Sequence, residues 1–201
     1  MPRANRQITL KTRWIVWRSQ WSMPALLSHL DERKVVSITT AINGAVAIFT
    51  IGLIAWLTNL PLIFPALGPS AFILFSKSLA PEAAPRSVIL GHWLSLLCGW
   101  VSWWGISWIA GHPVGVEAGG WSLFLSASVA LALSSLFMIR LSCAHPPACA
   151  SGLIVALGLF AGWGQVLIMG AVVVWLTFQA VIMNRWSGIS SPIWAPRHIF
   201  D

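Results

Sequence analysis

An all-α polytopic membrane bundle is the fold class the sequence predicts, with six hydrophobic segments: four full transmembrane helices and two short helices broken by proline. Three observations carry this reading. The 201 residues are 57% hydrophobic and 8% charged, against roughly 25% charge in a soluble domain. Four runs, Val35 to Thr58, Ser87 to Ile109, Gly119 to Ile139 and Trp163 to Met183, contain no Asp, Glu, Lys or Arg, and each reaches the ~20 residues with which a helix crosses a bilayer. Two shorter apolar runs interrupted by proline lie between them. A soluble helical protein with four such runs would have almost no polar surface left to face water.

Residues 1–34 read as a cytoplasmic basic segment. Arg3, Arg6, Lys11, Arg13, Arg18, Arg33 and Lys34 are seven of the twelve basic residues, placed ahead of the first span, where they would meet anionic headgroups on the cytoplasmic side. Trp14, Trp17 and Trp21 share one helical face, which predicts an interfacial amphipathic helix or a cytoplasmic docking surface. No apolar stretch precedes Val35, so a cleaved signal peptide is not expected. Membrane lipids are the partners this distribution implies, and nucleic acid is not. Residues 35–186 form the expected transmembrane domain, and 187–201 a cytoplasmic tail. Cys98, Cys143 and Cys149 fit no metal spacing and read as small buried hydrophobes. No metal or other cofactor is expected. Neither is an enzyme, since paired carboxylates, metal-ligand clusters and a glycine-rich phosphate loop after a strand are all missing from the sequence.

The first broken segment, LPLIFPALGPSAFILFSKSLAPEAAP, predicts irregular chain through about Leu67 and a short helix from Pro69 to about Leu79. The second, LSCAHPPACASGLIVALGLFAG, predicts broken chain through His145 and a helix from Pro146 or Pro147 to about Phe160. Proline suits the first turn of a helix and disrupts its interior. Four or six crossings follow, depending on whether each short helix crosses together with the irregular chain before it. Six crossings place every basic residue on the cytoplasmic side with both termini, whereas four strand Lys77, Arg86, Arg185 and Arg197 outside, so six is preferred. Halves of about 35–109 and 119–186 would then run in opposite directions as an inverted repeat, in what reads as a bacterial plasma membrane.

Opposed halves would bring the helix starts near Pro69 and Pro146 together at mid-membrane. Free backbone N–H groups and positive dipole ends would there form an anion site. Gly68, Pro69, Ser70 and Ala71 at one start, and His145, Pro146, Pro147, Ala148 and Ser151 at the other, are therefore candidate substrate-binding residues. Their small side chains also suit tight helix packing. His145 would donate to an anion, cap backbone or gate by protonation, or serve as a structural histidine. His92 would line the site or pack, and Asn43 is a further candidate of the same kind. Arg86 would draw anions into a cytoplasmic vestibule, reach headgroups, or pair with Glu82. Trp100, Trp103, Trp104, Trp108, Trp121 and Trp163 read as an interface belt.

Three stretches, LGPSAFILF at 67–75, PRSVILGH at 85–92 and HPP at 145–147, resemble in residues and order the HPP family of integral membrane proteins, over about residues 35–185. Gly68, Ser70 and Ala71 match one family element, and Pro85, Arg86, Val88, Gly91 and His92 match a second. Ser87 stands where the family has asparagine, Leu90 where it has glycine, and Ala148, Cys149, Ala150 and Ser151 where it continues glycine-glycine-alanine-threonine. The resemblance implies a four-helix membrane protein. Plastid and cyanobacterial members are nitrite transporters, which makes nitrite the leading substrate. The expected function is thus a channel or transporter for a small monovalent anion, coupled, if at all, to protons through His145 and His92. The alternatives are a channel for water or a small neutral solute, and a non-transporting membrane scaffold. A homo-oligomer is compatible with each.

Overall fold

The computed structural model describes residues 22–117 and 119–195. Within them the chain forms seven α-helices: α1 (Met23–Leu27), α2 (Glu32–Thr58), α3 (Leu67–Ser76), α4 (Pro85–Ala110), α5 (Gly120–Arg140), α6 (Ala148–Ala156) and α7 (Trp163–Trp186). A single 3-10 turn, Pro81–Ala83, precedes α4. The helix expected around Trp14, Trp17 and Trp21, and the tail from 196 onward, lie outside the described residues.

Helix ends follow local chemistry. The Asp31 carboxylate accepts from the Lys34 N–H at 3.1 Å and caps the start of α2, satisfying one of the donors a helix leaves open. Pro85 opens α4, where its missing N–H costs nothing. α3 begins at Leu67 and takes Gly68 and Pro69 into its first turn. α6 starts just after the two prolines and ends at Ala156, short of the expected Phe160. Gly158 closes it with φ of 75°, and a Cβ there would lie 2.3 Å from the Val114 carbonyl oxygen.

Among the described residues three helices, α2, α5 and α7, are long and apolar enough to cross a membrane. This overturns the expectation of six hydrophobic segments, four of them full transmembrane helices, arranged as an inverted repeat. The short helices, at 10 and 9 residues, span about 15 Å each, half of a ~30 Å hydrocarbon core. α4 has the length, at 26 residues, but freedom from charge is not the same as apolarity. It carries five tryptophans and four serines, and its Ser87, His92, Ser95 and Ser102 are turned inward and buried. Nor do the two sequence halves stand as separate bundles. α4 packs chiefly on α5 and α6, while α7 packs on α2, α3 and α4.

The bundle is apolar outside and partly polar inside, as lipid demands. Ile38, Ile42, Phe49 and Trp56 on α2 are exposed, as are Phe124 and Ile139 on α5. Inside, Ile51, Phe64, Leu67, Leu74, Leu96, Val173 and Leu176 form the main core, with serines joining α4 to its neighbours. The Ser102 hydroxyl donates to the Ser126 carbonyl at 2.7 Å, Ser126 donates to the Ala156 carbonyl at 2.8 Å, and Ser95 donates to Ser134 at 3.0 Å. On the other side of the bundle, the Asn184 amide donates to the Leu74 carbonyl at 2.9 Å. Thr50 bonds Gln179 between α2 and α7.

The helix termini sort the side chains into two ends. At one, the starts of α2 and α4 and the ends of α3, α5 and α7 bring together Arg33, Lys34, Lys77, Arg86, Arg140 and Arg185. Met23 N–H to Ser187 carbonyl and Arg86 N–H to Trp194 carbonyl bonds tie this end together. At the other, Trp56, Trp108, Trp121 and Trp163 are exposed, as an interface belt requires.

The backbones of α4 and α6 are in direct contact. A Cβ on Gly99 would lie 2.3 Å from the Gly152 carbonyl oxygen, and one on Gly152 would lie 2.5 Å from the Ser95 carbonyl oxygen. Gly105, also in α4, has nothing within 4 Å of such a Cβ. Gly99→Ala is therefore expected to destabilise the detergent-solubilised protein by about 1–3 kcal/mol through overpacking. Gly105→Ala should be neutral or stabilise by up to ~1 kcal/mol through helix propensity. Thermal unfolding of the two variants side by side checks this.

Candidate functional site

Four polar side chains from four parts of the chain meet where α3, α4 and α6 converge. Ser70 is the fourth residue of α3 and Ser151 the fourth of α6. His92 lies seven residues into α4, about 10 Å from its start. His145 sits on the irregular chain just before α6. All four are 0% exposed. The Ser70 hydroxyl oxygen lies 3.0 Å from His92 Nε2 and 3.0 Å from His145 Nε2. His92 Nδ1 lies 2.7 Å from the Ser151 hydroxyl, and His145 Nδ1 lies 2.8 Å from the Glu82 carbonyl oxygen. The two imidazole centroids are 5.2 Å apart.

The chemistry of the partners sets the direction of every bond. A carbonyl oxygen only accepts, so His145 carries its proton on Nδ1 and donates to Glu82. With both rings neutral, His145 Nε2 is then a bare acceptor, and Ser70 supplies the proton it needs. Having donated there, Ser70 accepts from His92 Nε2–H. His92 Nδ1 is left as an acceptor for the Ser151 hydroxyl. The chain thus runs one way, Ser151 to His92 to Ser70 to His145 to Glu82, with one proton per link. Ser70 also lies 2.9 Å from the Ala66 carbonyl, but a hydroxyl has one proton, and spending it there would leave His145 Nε2 empty.

Local sequence explains why the groups converge. Gly91 precedes His92, and a Cβ on it would lie 3.1 Å from the His145 Cβ and 3.2 Å from the Cys143 carbonyl oxygen; the bare backbone lets the 143–145 stretch lie against α4. Pro147 is the N-cap of α6 and is buried, whereas Pro146 is exposed. Ala148 is buried against Met138 and Cys143.

The remaining expected residues divide. Ala71 is buried in the main core. Gly68 and Pro69 are exposed, and Gly68 lines a groove shared with Thr40, Ala41, Gly44 and Phe72 on the α2 side. A neighbouring groove of about 670 Å³ runs from Arg33 past Val36 and Thr40 to Phe72 and Ser76. The Thr40 hydroxyl in it is buried without a hydrogen-bond partner. Arg86 donates to the Ser142 carbonyl at 2.7 Å and the Leu141 carbonyl at 3.0 Å. It thereby covers open acceptors and the negative dipole end of α5. Asn43 is half-buried on α2, an element that contributes nothing to the serine and histidine cluster.

Two contributors escape a reading of side chains. Glu82 acts through its carbonyl, which residue identity does not reveal. Gly91 acts by having no side chain, and its position directly before a histidine in a helix was the available signal.

The family model for the HPP transmembrane region matches residues 31–192. No curated protein and no solved structure matches the chain.

Replacing Ser70 removes a donor and an acceptor from two buried rings at once. Ser70→Ala is expected to cost about 1–3 kcal/mol, the desolvation cost of buried polar groups left without partners. Ser76→Ala removes an exposed hydroxyl bonded only within its own helix and should stay within ~0.5 kcal/mol. Denaturation midpoints in one detergent compare them directly.

Proposed function

Because this chain belongs to the HPP family of transmembrane proteins, we propose that it carries a small monovalent anion across the membrane, with nitrite the first candidate. The family's members are transporters and not enzymes, and the chain itself is a polytopic integral membrane protein. One observation supports the finer reading above the rest: two histidines and two serines, fully buried and mutually bonded, occupy the place where both short helices begin. Ionisable groups inside a membrane protein are costly to keep and mark solute or proton pathways.

In this reading Ser70 and Ser151 are hydroxyl donors, and His92 and His145 are N–H donors, that turn from one another to an anion when the cluster opens. The starts of α3 and α6 add the positive ends of two helix dipoles. Gly68, Pro69, Ala71, Pro146, Pro147 and Ala148 shape the backbone around those donors, and Arg86 stands at the basic end from which an anion would approach. That end faces the cytoplasm of a bacterial plasma membrane, by the bias of basic residues toward the inside. Residues 1–34 and 187–201 flank the transmembrane domain on the same side.

A second reading is favoured by the complete burial of the four side chains. A cluster that satisfies itself needs no solute, and a non-transporting membrane scaffold would be built this way. Flux separates the two. Purified protein in liposomes is expected to pass nitrite, nitrate, formate or chloride above the rate of empty liposomes. No flux for any of the four overturns the transport reading and leaves the scaffold.

A further inference from the structure

We propose that Ser151, His92, Ser70 and His145 together form a binding site for one proton per chain, held by the two imidazoles in common. We further propose that this proton is the counter-charge that travels with the anion; this second part rests on the transport reading above, and the first does not.

The geometry allows one proton to be added with no change in the positions of the heavy atoms. A proton arriving at the Ser151 oxygen forms a new O–H bond there, and the hydroxyl's original proton passes to His92 Nδ1. The proton on His92 Nε2 passes to Ser70, and the proton of Ser70 passes to His145 Nε2. Three bonds to hydrogen break and three re-form along the chain, beside the one made to the incoming proton. The positive charge comes to rest on His145, which is now an imidazolium. Each inner link has reversed. His145 Nε2–H donates to Ser70, Ser70 donates to His92 Nε2, and His92 Nδ1–H donates to Ser151, at the distances of 3.0, 3.0 and 2.7 Å already present. Every ring nitrogen remains paired before and after.

Two features make this a store and not a conduit. His145 Nδ1 ends on the Glu82 carbonyl, an oxygen that accepts a hydrogen bond but does not carry a proton onward, so protons enter and leave at the Ser151 end. A second proton is excluded because His92 would also become a cation, with its ring centroid 5.2 Å from that of His145, and like charges so close oppose one another. The charged and titratable groups around the pair are few. Burial opposes charge on His145 and the Glu82 carboxylate partly offsets it, Arg86 on α4 is engaged by the Leu141 and Ser142 carbonyls, and Cys143 and Cys149 flank the α6 side. α3 brings only the Ser70 hydroxyl.

The tautomer of His92 is the signature. Nitrogen-15 histidine spectra of the full chain in lipid nanodiscs, followed through an acid titration, report the protonation of each ring nitrogen. His92→Asn and His145→Asn variants assign the signals apart from His29, His112 and His198. The expected result is that His145 gains its Nε2 proton while His92, staying neutral, moves its proton from Nε2 to Nδ1 at the same midpoint. In Ser70→Ala that concerted change should be lost, and in Ser151→Ala, which leaves the Ser70 bridge intact, His92 should no longer settle as the Nδ1–H form. A His92 that keeps one tautomer while His145 titrates, two cationic rings, or rings that never take up a proton would each overturn the one-proton site.

Proteoliposomes loaded with a pH-sensitive dye test the second part: nitrite entry should carry one proton per anion. Anion entry without protons overturns the counter-charge role while transport stands. Absence of any flux removes the transport reading, whereas the tautomer change would still establish the proton site.

Discussion

A hydroxyl with one proton, placed between two buried imidazoles, is the constraint on which the rest of the site depends. Ser70 is the only member of the cluster that touches both rings. Its single proton obliges His92 and His145 to take complementary tautomers, and those in turn set what Ser151 and Glu82 must do. In water such an arrangement would be loose, because each group has solvent to fall back on. Closed off at 0% exposure, an unmet donor or acceptor costs its full desolvation penalty. The same requirement shapes the backbone nearby. Gly91 makes room for the 143–145 stretch, Pro147 starts α6 where Ser151 can reach His92, and Arg86 covers the end of α5 directly before that stretch.

Much of this was legible in the sequence, for a reason that applies to membrane proteins generally. In a chain so poor in polar groups, the few placed between apolar runs stand out, and Ser70, His92, His145 and Ser151 do so beside glycine or proline. The four do meet. What the letters could not convey was their mutual satisfaction, since a hydrogen-bond partner that is a carbonyl, as at Glu82, belongs to every residue alike. Gly68 and Pro69 were grouped with Ser70 by adjacency. Successive residues of a helix are turned by about 100° from one another, so Gly68 faces the α2 groove and Pro69 is exposed while Ser70 is buried.

The count of spanning segments failed for a different physical reason. Runs without formal charge were taken as runs of apolar surface, and α4 is where the two part company. Its serines and histidine are buried against other helices, while Leu97, Val101, Trp104 and Trp108 stay exposed on its other face. Its buried Ser95 and Ser102 bond to α5, and its backbone touches α6. The long apolar helices α2, α5 and α7 supply much of the surface that lipid wets, and the inward face of α4, with the short helices α3 and α6, supplies the polar interior.

The glycine-to-glycine contact between α4 and α6 bears on how such an interior would ever be reached. Carbonyl oxygens lie where side chains would normally cushion two helices, so any shift of one against the other would have to move backbone past backbone. His92 and Ser151 therefore ride together. Were the cluster to open, the seam would lie at Ser70, between that pair and α3, and a lever acting on α3 from its partners α2 and α7 would be felt first by one hydroxyl group.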